Sequence, residues 1–264
     1  MKRAQVAVIG GGLAGLAAAR ALAGQGVQVT LFEREPVVGG GVFGVDVPTH
    51  SGGTLRIDGG ASDFNVATSH EFKALVSEFT QEFMPISQDA SYLRADGSAV
   101  LSVLSGAPVF SSASAARVHQ AQFDEWLRFR REGAEVLADA RFEKVTAGQY
   151  LVLRGYSEAF IRELFAARAR AVSSMPAVKA VHYPMRSLVR QWVAQGAVGP
   201  HASNRVTLRQ GLHSLVPLLQ QKLIALGVEV RTQSQVRVVR QVTERQLEVH
   251  AREQGEREVS ITVD

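Results

Sequence analysis

The stretch Val6-Ala7-Val8-Ile9-Gly10-Gly11-Gly12-Leu13-Ala14-Gly15-Leu16-Ala17-Ala18-Ala19-Arg20 constrains this chain more than any other. An apolar run rich in β-branched residues, too short for a buried helix, ends in three glycines and gives way to an Ala/Leu-rich helical pattern. That order predicts strand, tight turn and helix. Gly10, Gly12 and Gly15 stand in G-x-G-x-x-G spacing. In that spacing the first glycine permits the turn, the second lets a pyrophosphate approach the backbone, and the third lets helix and strand pack. Leu13 and Ala14 open the helix, whose free N–H groups and partial positive charge suit phosphate oxygens. These five positions are candidate phosphate-binding residues.

Glycine-rich turns are common, so the context decides. Gly24-Gln25-Gly26 is a helix C-cap signal, and Val27 to Phe32 has strand character. Glu33 follows, 18 residues beyond Gly15. At the tip of a second strand an acidic side chain accepts hydrogen bonds from a ribose hydroxyl. The alternative is a βαβ unit that binds nothing, with Glu33 an ordinary surface charge. Strand, turn, helix, second strand and acid in this order favour a dinucleotide ligand.

The residues that follow resemble a known family. Glu33-Arg34-Glu35-Pro36-Val37-Val38-Gly39-Gly40 resembles the second-strand signature of the FAD-dependent amine oxidase superfamily. That group includes monoamine oxidases, protoporphyrinogen oxidases and carotenoid desaturases such as phytoene desaturase. Its signature is an acid, a short spacer and Gly-Gly-Arg; here Gly41 stands where the arginine is expected. Leu55-Arg56-Ile57-Asp58-Gly59-Gly60 resembles the F-D-x-G segment with which the family closes over the flavin. Leu208 to Leu215, followed by Gly227-Val228-Glu229-Val230, resembles its gly-gly-x-x-x-leu helix and next strand. The resemblance implies FAD as cofactor. It adds Arg34, Gly40, Gly41, Gly59 and Val236 to the cofactor-binding positions, Val236 lying on a strand whose backbone reads the adenine edge.

The resemblance also implies an α/β fold. A Rossmann-like FAD-binding βαβ domain of the glutathione-reductase type would comprise residues 1–62 and 203–264, with 63–202 inserted as a mainly helical substrate region. The implied activity is that of an FAD-dependent oxidoreductase removing a hydride from a C–N or C–C bond of a small organic substrate. Hydride transfer to flavin requires no particular side chain, so no catalytic residue is named. Two alternatives stand beside it: an FAD-binding module or split-enzyme subunit without activity alone, and an NAD-dependent dehydrogenase, which Gly10, Gly12, Gly15 and Glu33 fit equally well. The family continues with further strands and a last glycine-rich segment that meets the flavin, and no glycine follows Gly255. The resemblance therefore implies a piece of a longer protein, a truncated relative, or a subunit completed by a partner, and weak activity of this chain by itself.

Local patterns give the remaining expectations. Val42 to Gly53 is glycine-rich and reads as a loop. Thr68 followed by Glu71 predicts a capping box opening a helix that runs to Phe83. Tyr92 to Leu101 reads as a hairpin turning at Asp96-Gly97. Helical intervals run from Ala113 to Val172, with Ser157 as a cap before Phe160, Ile161, Leu164 and Phe165. Met185 to Trp192 is one more helix, before a loop at Gly196 to Pro200. Strand character returns at Val206 to Leu208 and Val228 to Val230 around a helix from Ser214 to Leu226. Gln235 to Val239, Gln246 to Ala251 and Val259 to Val263 read as an antiparallel meander. His50 and Asp63 can be drawn as an acid/base pair, but a loop histidine and a turn aspartate explain them better.

Composition sets outer bounds. With 264 residues of which 46% are apolar, the chain can bury a sizeable core as one domain or two interleaved ones. No stretch approaches the ~20 apolar residues of a membrane span. The absence of cysteine excludes disulfides, thiolate metal sites and a cysteinyl flavin link, and fits a reducing cytoplasm, the compartment expected. Lys+Arg exceed Asp+Glu by 29 to 25, yet Glu125, Arg128, Arg130, Arg131 and Glu132 interleave as a solvated helix face. With no basic run interleaved with aromatics, a nucleic-acid partner is not expected; a small-molecule substrate is.

Overall fold

The computed structural model describes residues 3–264 apart from 88, 94–95, 105–106, 200–203 and 254–256. In chain order its strands and helices are β1 (Gln5–Ile9), α1 (Leu13–Gly24), β2 (Gln28–Phe32), β3 (Gly44–Pro48), β4 (Thr54–Asp58), β5 (Phe64–Asn65), α2 (His70–Ser77), β6 (Phe83–Pro85), β7 (Ala90–Leu93), β8 (Ala99–Leu104), β9 (Ala107–Val109), α3 (Ala113–Glu132), α4 (Ala147–Leu153), α5 (Ala166–Ser173), α6 (Ala177–Ala180), α7 (Met185–Ala194), β10 (Arg205–Leu208), α8 (Leu215–Ala225), β11 (Glu229–Arg231), β12 (Gln235–Thr243), β13 (Gln246–Arg252) and β14 (Glu258–Val263). They fall into two units. One comprises Met1–Asp63, Glu71–Met84 and Thr207–Asp264, the other Phe64–His70 and Pro85–Val206.

The first unit is built on a parallel sheet in the order β1-β2-β11, with Val8 opposite Leu31 and Val230 also opposite Leu31. Parallel neighbours need a crossover; α1 supplies it between β1 and β2, and α8 leads into β11. The two-residue period of a strand divides the sheet's side chains between its faces. Val8 lies on the face that α1 covers, with Leu16 and Ala19 of α1 buried. Ala7 and Phe32 pack on the other face against Val249, Ala251 and Val263 of the meander β12-β13-β14. Helix, sheet and meander thus form three layers. The C-cap expected at the end of α1 is present: Gly26 takes φ +83° and donates to the Ala23 carbonyl.

Two local expectations are corrected. Val42 to Gly53 is not a loop throughout: β3 pairs antiparallel with β4, Val45 opposite Ile57 and Val47 opposite Leu55. The alternation Val45-Asp46-Val47 carries a strand, and the glycines belong to the turn, where Gly53 N–H donates to Thr49 Oγ1 at 3.0 Å. The helix expected from Thr68 to Phe83 is only His70–Ser77, and Phe83 begins β6. Thr68 does not cap it; its hydroxyl donates to the Ala194 carbonyl. After Ser77, Thr80 Oγ1 accepts from Glu82 N–H at 3.1 Å, a local bond that competes with continued helix.

In the second unit Phe129, fully buried, is ringed by Trp126, Tyr156, Phe160, Phe165 and Trp192 at centroid distances of 5.5–6.5 Å. Burial pushes the Tyr150 hydroxyl up to about 12, so this ring enters the core uncharged. Ser157 Oγ accepts from Phe160 N–H at 3.1 Å, as the sequence suggested, and opens a π-helical segment, Phe160–Phe165, that continues into α5. The expected hairpin is β7–β8, with Tyr92 opposite Leu101 and a third strand, β9, added beyond it. Its residues Arg94 and Ala95 lie outside the described residues, as do Pro200 and the 202/203 boundary. β5 and β10 pair antiparallel. Thr146 and Gln149 form a reciprocal capping box at α4, with Thr146 N–H donating to Gln149 Oε1 at 3.0 Å. Thr146→Ala is therefore expected to cost about 1 kcal/mol, read from the denaturant midpoint. Among the described residues no helix is long and apolar enough to cross a membrane.

Candidate dinucleotide-binding site

β1 delivers the chain to Gly10, whose φ of +100° an L side chain rarely adopts and whose N–H donates to the Phe32 carbonyl at 2.8 Å. This turn points α1 back along the sheet. Gly15 makes the close approach possible: a Cβ there would lie 1.9 Å from the Gly10 carbonyl oxygen. Gly12 differs. It is the N-cap residue, and an added Cβ would meet nothing nearer than Gly40 Cα at 4.0 Å. No side chain caps α1 and no acidic residue stands in its first turn. Leu13 and Ala14 begin the helix without a side-chain cap, the setting in which a helix N-terminus suits an anion.

A second glycine turn lies against the first. Gly39 N–H donates to the Gly11 carbonyl at 2.8 Å, and Gly12 and Gly39 form a parallel bridge. Gly40, at φ +57°, faces Gly12. At Gly41 a Cβ would meet nothing within 4 Å, so the position where the resembling family has arginine borders open space. The two turns form a cradle lined by backbone.

Glu33 follows β2 and is 8% exposed. Its Oε2 accepts from Gly11 N–H at 2.6 Å and its Oε1 from Glu35 N–H at 2.8 Å. The carboxylate therefore ties the second strand to the glycine turn, a role sequence reasoning missed. A carboxylate offers about four lone-pair positions, so two remain for hydroxyl donors. Beside it Ser234 N–H donates to the Glu33 carbonyl, while Ser234 Oγ, buried, has no partner among the described residues. Val236, half-buried, stands opposite Ala251 at the start of β12, just before a bulge. Arg34 and Glu35 form an exposed ion pair at 3.1 Å. Gly59 closes the base of the β3–β4 hairpin, donating to the Phe43 carbonyl at 2.9 Å, and a Cβ there would meet the Phe43 ring at 2.4 Å.

The polar pair that the fold assembles is not His50 with Asp63. His50 sits exposed in the turn between β3 and β4, and Asp63 accepts from Ser62 Oγ at 3.1 Å. The pair is Asp58 with His213. Asp58 Oδ1 lies 2.7 Å from His213 Nδ1 and accepts His213 N–H at 2.8 Å, while Oδ2 accepts Leu212 N–H at 2.9 Å. Both side chains are about one-tenth exposed. Asp58 so caps the 3-10 turn that leads into α8. Asp58→Asn is expected to cost about 1.5 kcal/mol, measured by urea denaturation, because an amide can accept from only one side of this cluster.

A parallel βαβ unit with a glycine-lined helix N-terminus and a buried acid after its second strand is a Rossmann-like arrangement. Residues 8–79 match the family described as NAD(P)-binding Rossmann-like domain. Over 98% of its length the chain superposes on cyclohexylamine oxidase from Brevibacterium oxydans IH-35A, with a TM-score of 0.67 at 17% identity. Putrescine oxidase matches over 98% as well, with a TM-score of 0.64 at 18% identity. The chain shares the fold of these two amine oxidases, as the sequence resemblance implied. The chain spans 56% of the length of each of these two oxidases. Among curated proteins, carotenoid phi-ring synthase of Streptomyces griseus is 49% identical over 59 residues, 22% of this chain and 11% of that protein.

Proposed function

We propose that this chain binds FAD and serves an oxidoreductase of the amine oxidase type, acting on a C–N or C–C bond of a small organic molecule. The observation that carries the reading is the cradle between Gly12 and Gly39–Gly41. The space that a side chain at Gly12 would fill, facing an uncapped helix N-terminus, suits a pyrophosphate. Leu13 and Ala14 N–H groups would hold its oxygens. Glu33 would accept from the adenosine ribose through its two remaining lone-pair positions, with Ser234 Oγ as a neighbouring polar group and the Val236 backbone beside the adenine. The flavin supplies two-electron redox chemistry when bound; the chain's residues supply binding and orientation.

An NAD-dependent dehydrogenase would use the same Gly10, Gly12, Gly15 and Glu33. The second glycine turn packed on the first, at the position of the resembling family's flavin signature, favours FAD. The absorbance spectrum of the protein after incubation with FAD and removal of free ligand tests the reading. Retained flavin bands in the visible range are expected; a colourless protein after saturation with FAD would count against it.

A further inference from the structure

The first unit contains a cavity of about 790 Å³ that the dinucleotide cradle does not use. That volume lies in the range of small-molecule sites, roughly 300–1,000 Å³. Its wall includes no residue of Gly10 to Gly15 and not Glu33. The turn at Gly39 separates the two spaces: Gly40 faces Gly12, whereas a Cβ on Gly39 would lie 3.2 Å from Val216, which lines the cavity. Its lining includes the apolar Val38, Val42, Phe43, Leu215, Val216 and Pro217. It also includes Arg56, Arg209 and His213.

The polar lining is assembled rather than incidental. Asp58 fixes the His213 ring through Nδ1, and Nε2 has no protein partner among the described residues. A carboxylate behind an imidazole orients the ring and leaves the second nitrogen facing outward. Gly44 lies between the histidine and Arg56: a Cβ there would come within 2.5 Å of Arg56 Nε and 2.8 Å of His213 Cδ2. Arg209 binds Glu82, the acidic residue of the wall, through Nε at 3.2 Å, leaving both terminal nitrogens as donors. Arg56 is paired with Asp46 at 2.9 Å and keeps unused N–H groups. The cavity's two arginines therefore keep spare donors, and the acids Asp46 and Glu82 each pair with one of them while Asp58 is engaged by His213.

We infer that this cavity binds an apolar organic carboxylate, its chain against Val42, Leu215 and Val216 and its head on the spare donors of Arg209 and Arg56. This site is independent of the proposed flavin chemistry. A guanidinium fork suits a planar anion, and the apolar lining gives the remaining affinity through burial.

Dodecanoate below its micellar concentration is the probe, titrated into the full chain by calorimetry beside dodecan-1-ol and dodecyltrimethylammonium. One saturable site per chain is expected for dodecanoate, at least about tenfold tighter than for the alcohol, with no saturable site for the cation. Arg56→Gln and Arg209→Gln should each weaken dodecanoate about tenfold with an unchanged circular dichroism spectrum. Arg209 is exposed, so its variant remains informative if the Arg56 variant fails to fold. Added FAD should leave the dodecanoate stoichiometry unchanged. Equal affinity for acid and alcohol, unaltered affinity in a folded variant, displacement by FAD, or no saturable binding would each overturn the proposal. None of these outcomes depends on whether FAD binds elsewhere.

Discussion

Gly12→Val is expected to abolish FAD binding while the protein still folds, and Gly15→Ala to unsettle the fold itself. The two glycines belong to one motif but face different neighbours. At Gly15 a single added carbon lies 1.9 Å from the Gly10 carbonyl oxygen, a backbone atom held in its turn by the Gly10–Phe32 hydrogen bond. Neither partner can rotate away, so α1 must separate from β1, at a cost of about 3 kcal/mol or more. At Gly12 the backbone is at φ −68° and ψ 173°, an extended conformation open to any residue, and the nearest atom to an added Cβ is 4.0 Å away. Valine there costs only about 1 kcal/mol, from poorer N-capping. It would fill the space proposed for the pyrophosphate at the helix N-terminus. Urea denaturation and FAD titration of both variants separate the roles; a Gly12→Val protein that retains flavin would show that the phosphates lie elsewhere.

Glu33→Gln is expected to lower stability and cofactor affinity together. In the free protein both carboxylate oxygens accept backbone N–H groups, from Gly11 at 2.6 Å and Glu35 at 2.8 Å. An amide offers one acceptor oxygen and turns its NH₂ toward the other N–H, leaving a buried donor unpaired and losing a charge-assisted bond. The cost is about 2 kcal/mol without any ligand. If the same carboxylate also holds the ribose, FAD affinity falls at least about tenfold, because ~1.4 kcal/mol corresponds to one decade. Reduced stability with unchanged FAD affinity would leave Glu33 a purely structural residue.

The parts of this fold that the sequence made legible are those written in short-range pattern. The β-branched run before Gly10, the Gly26 cap and the alternation in Gln246–Arg252 each name their element because the determining residues are neighbours. The β3–β4 hairpin escaped because the glycines near its turn masked the alternation Val45-Asp46-Val47. α2 was overextended because Phe79 and Phe83 continue a helical spacing that Thr80, bonding locally to Glu82, interrupts. The site divides the same way. Gly10, Gly12 and Gly15 are readable from spacing alone, but the bond from Gly11 to Glu33 and the pair of Asp58 with His213, 155 residues apart, exist only once the chain has folded. The sequence contained a signal for that pair, since Asp58 and His213 stand in two of the segments that resemble the flavoprotein family. Nothing in either segment alone told that they meet.

The most direct measurement is calorimetric titration of the cofactor-free chain with FAD and, separately, with NAD. FAD is expected to bind at one site per chain and more tightly than NAD, with the FAD signal lost in Gly12→Val. Tighter binding of NAD than of FAD, or no binding of FAD at all, would contradict the assignment of the Gly12 and Gly39–Gly41 cradle as a flavin-dinucleotide site.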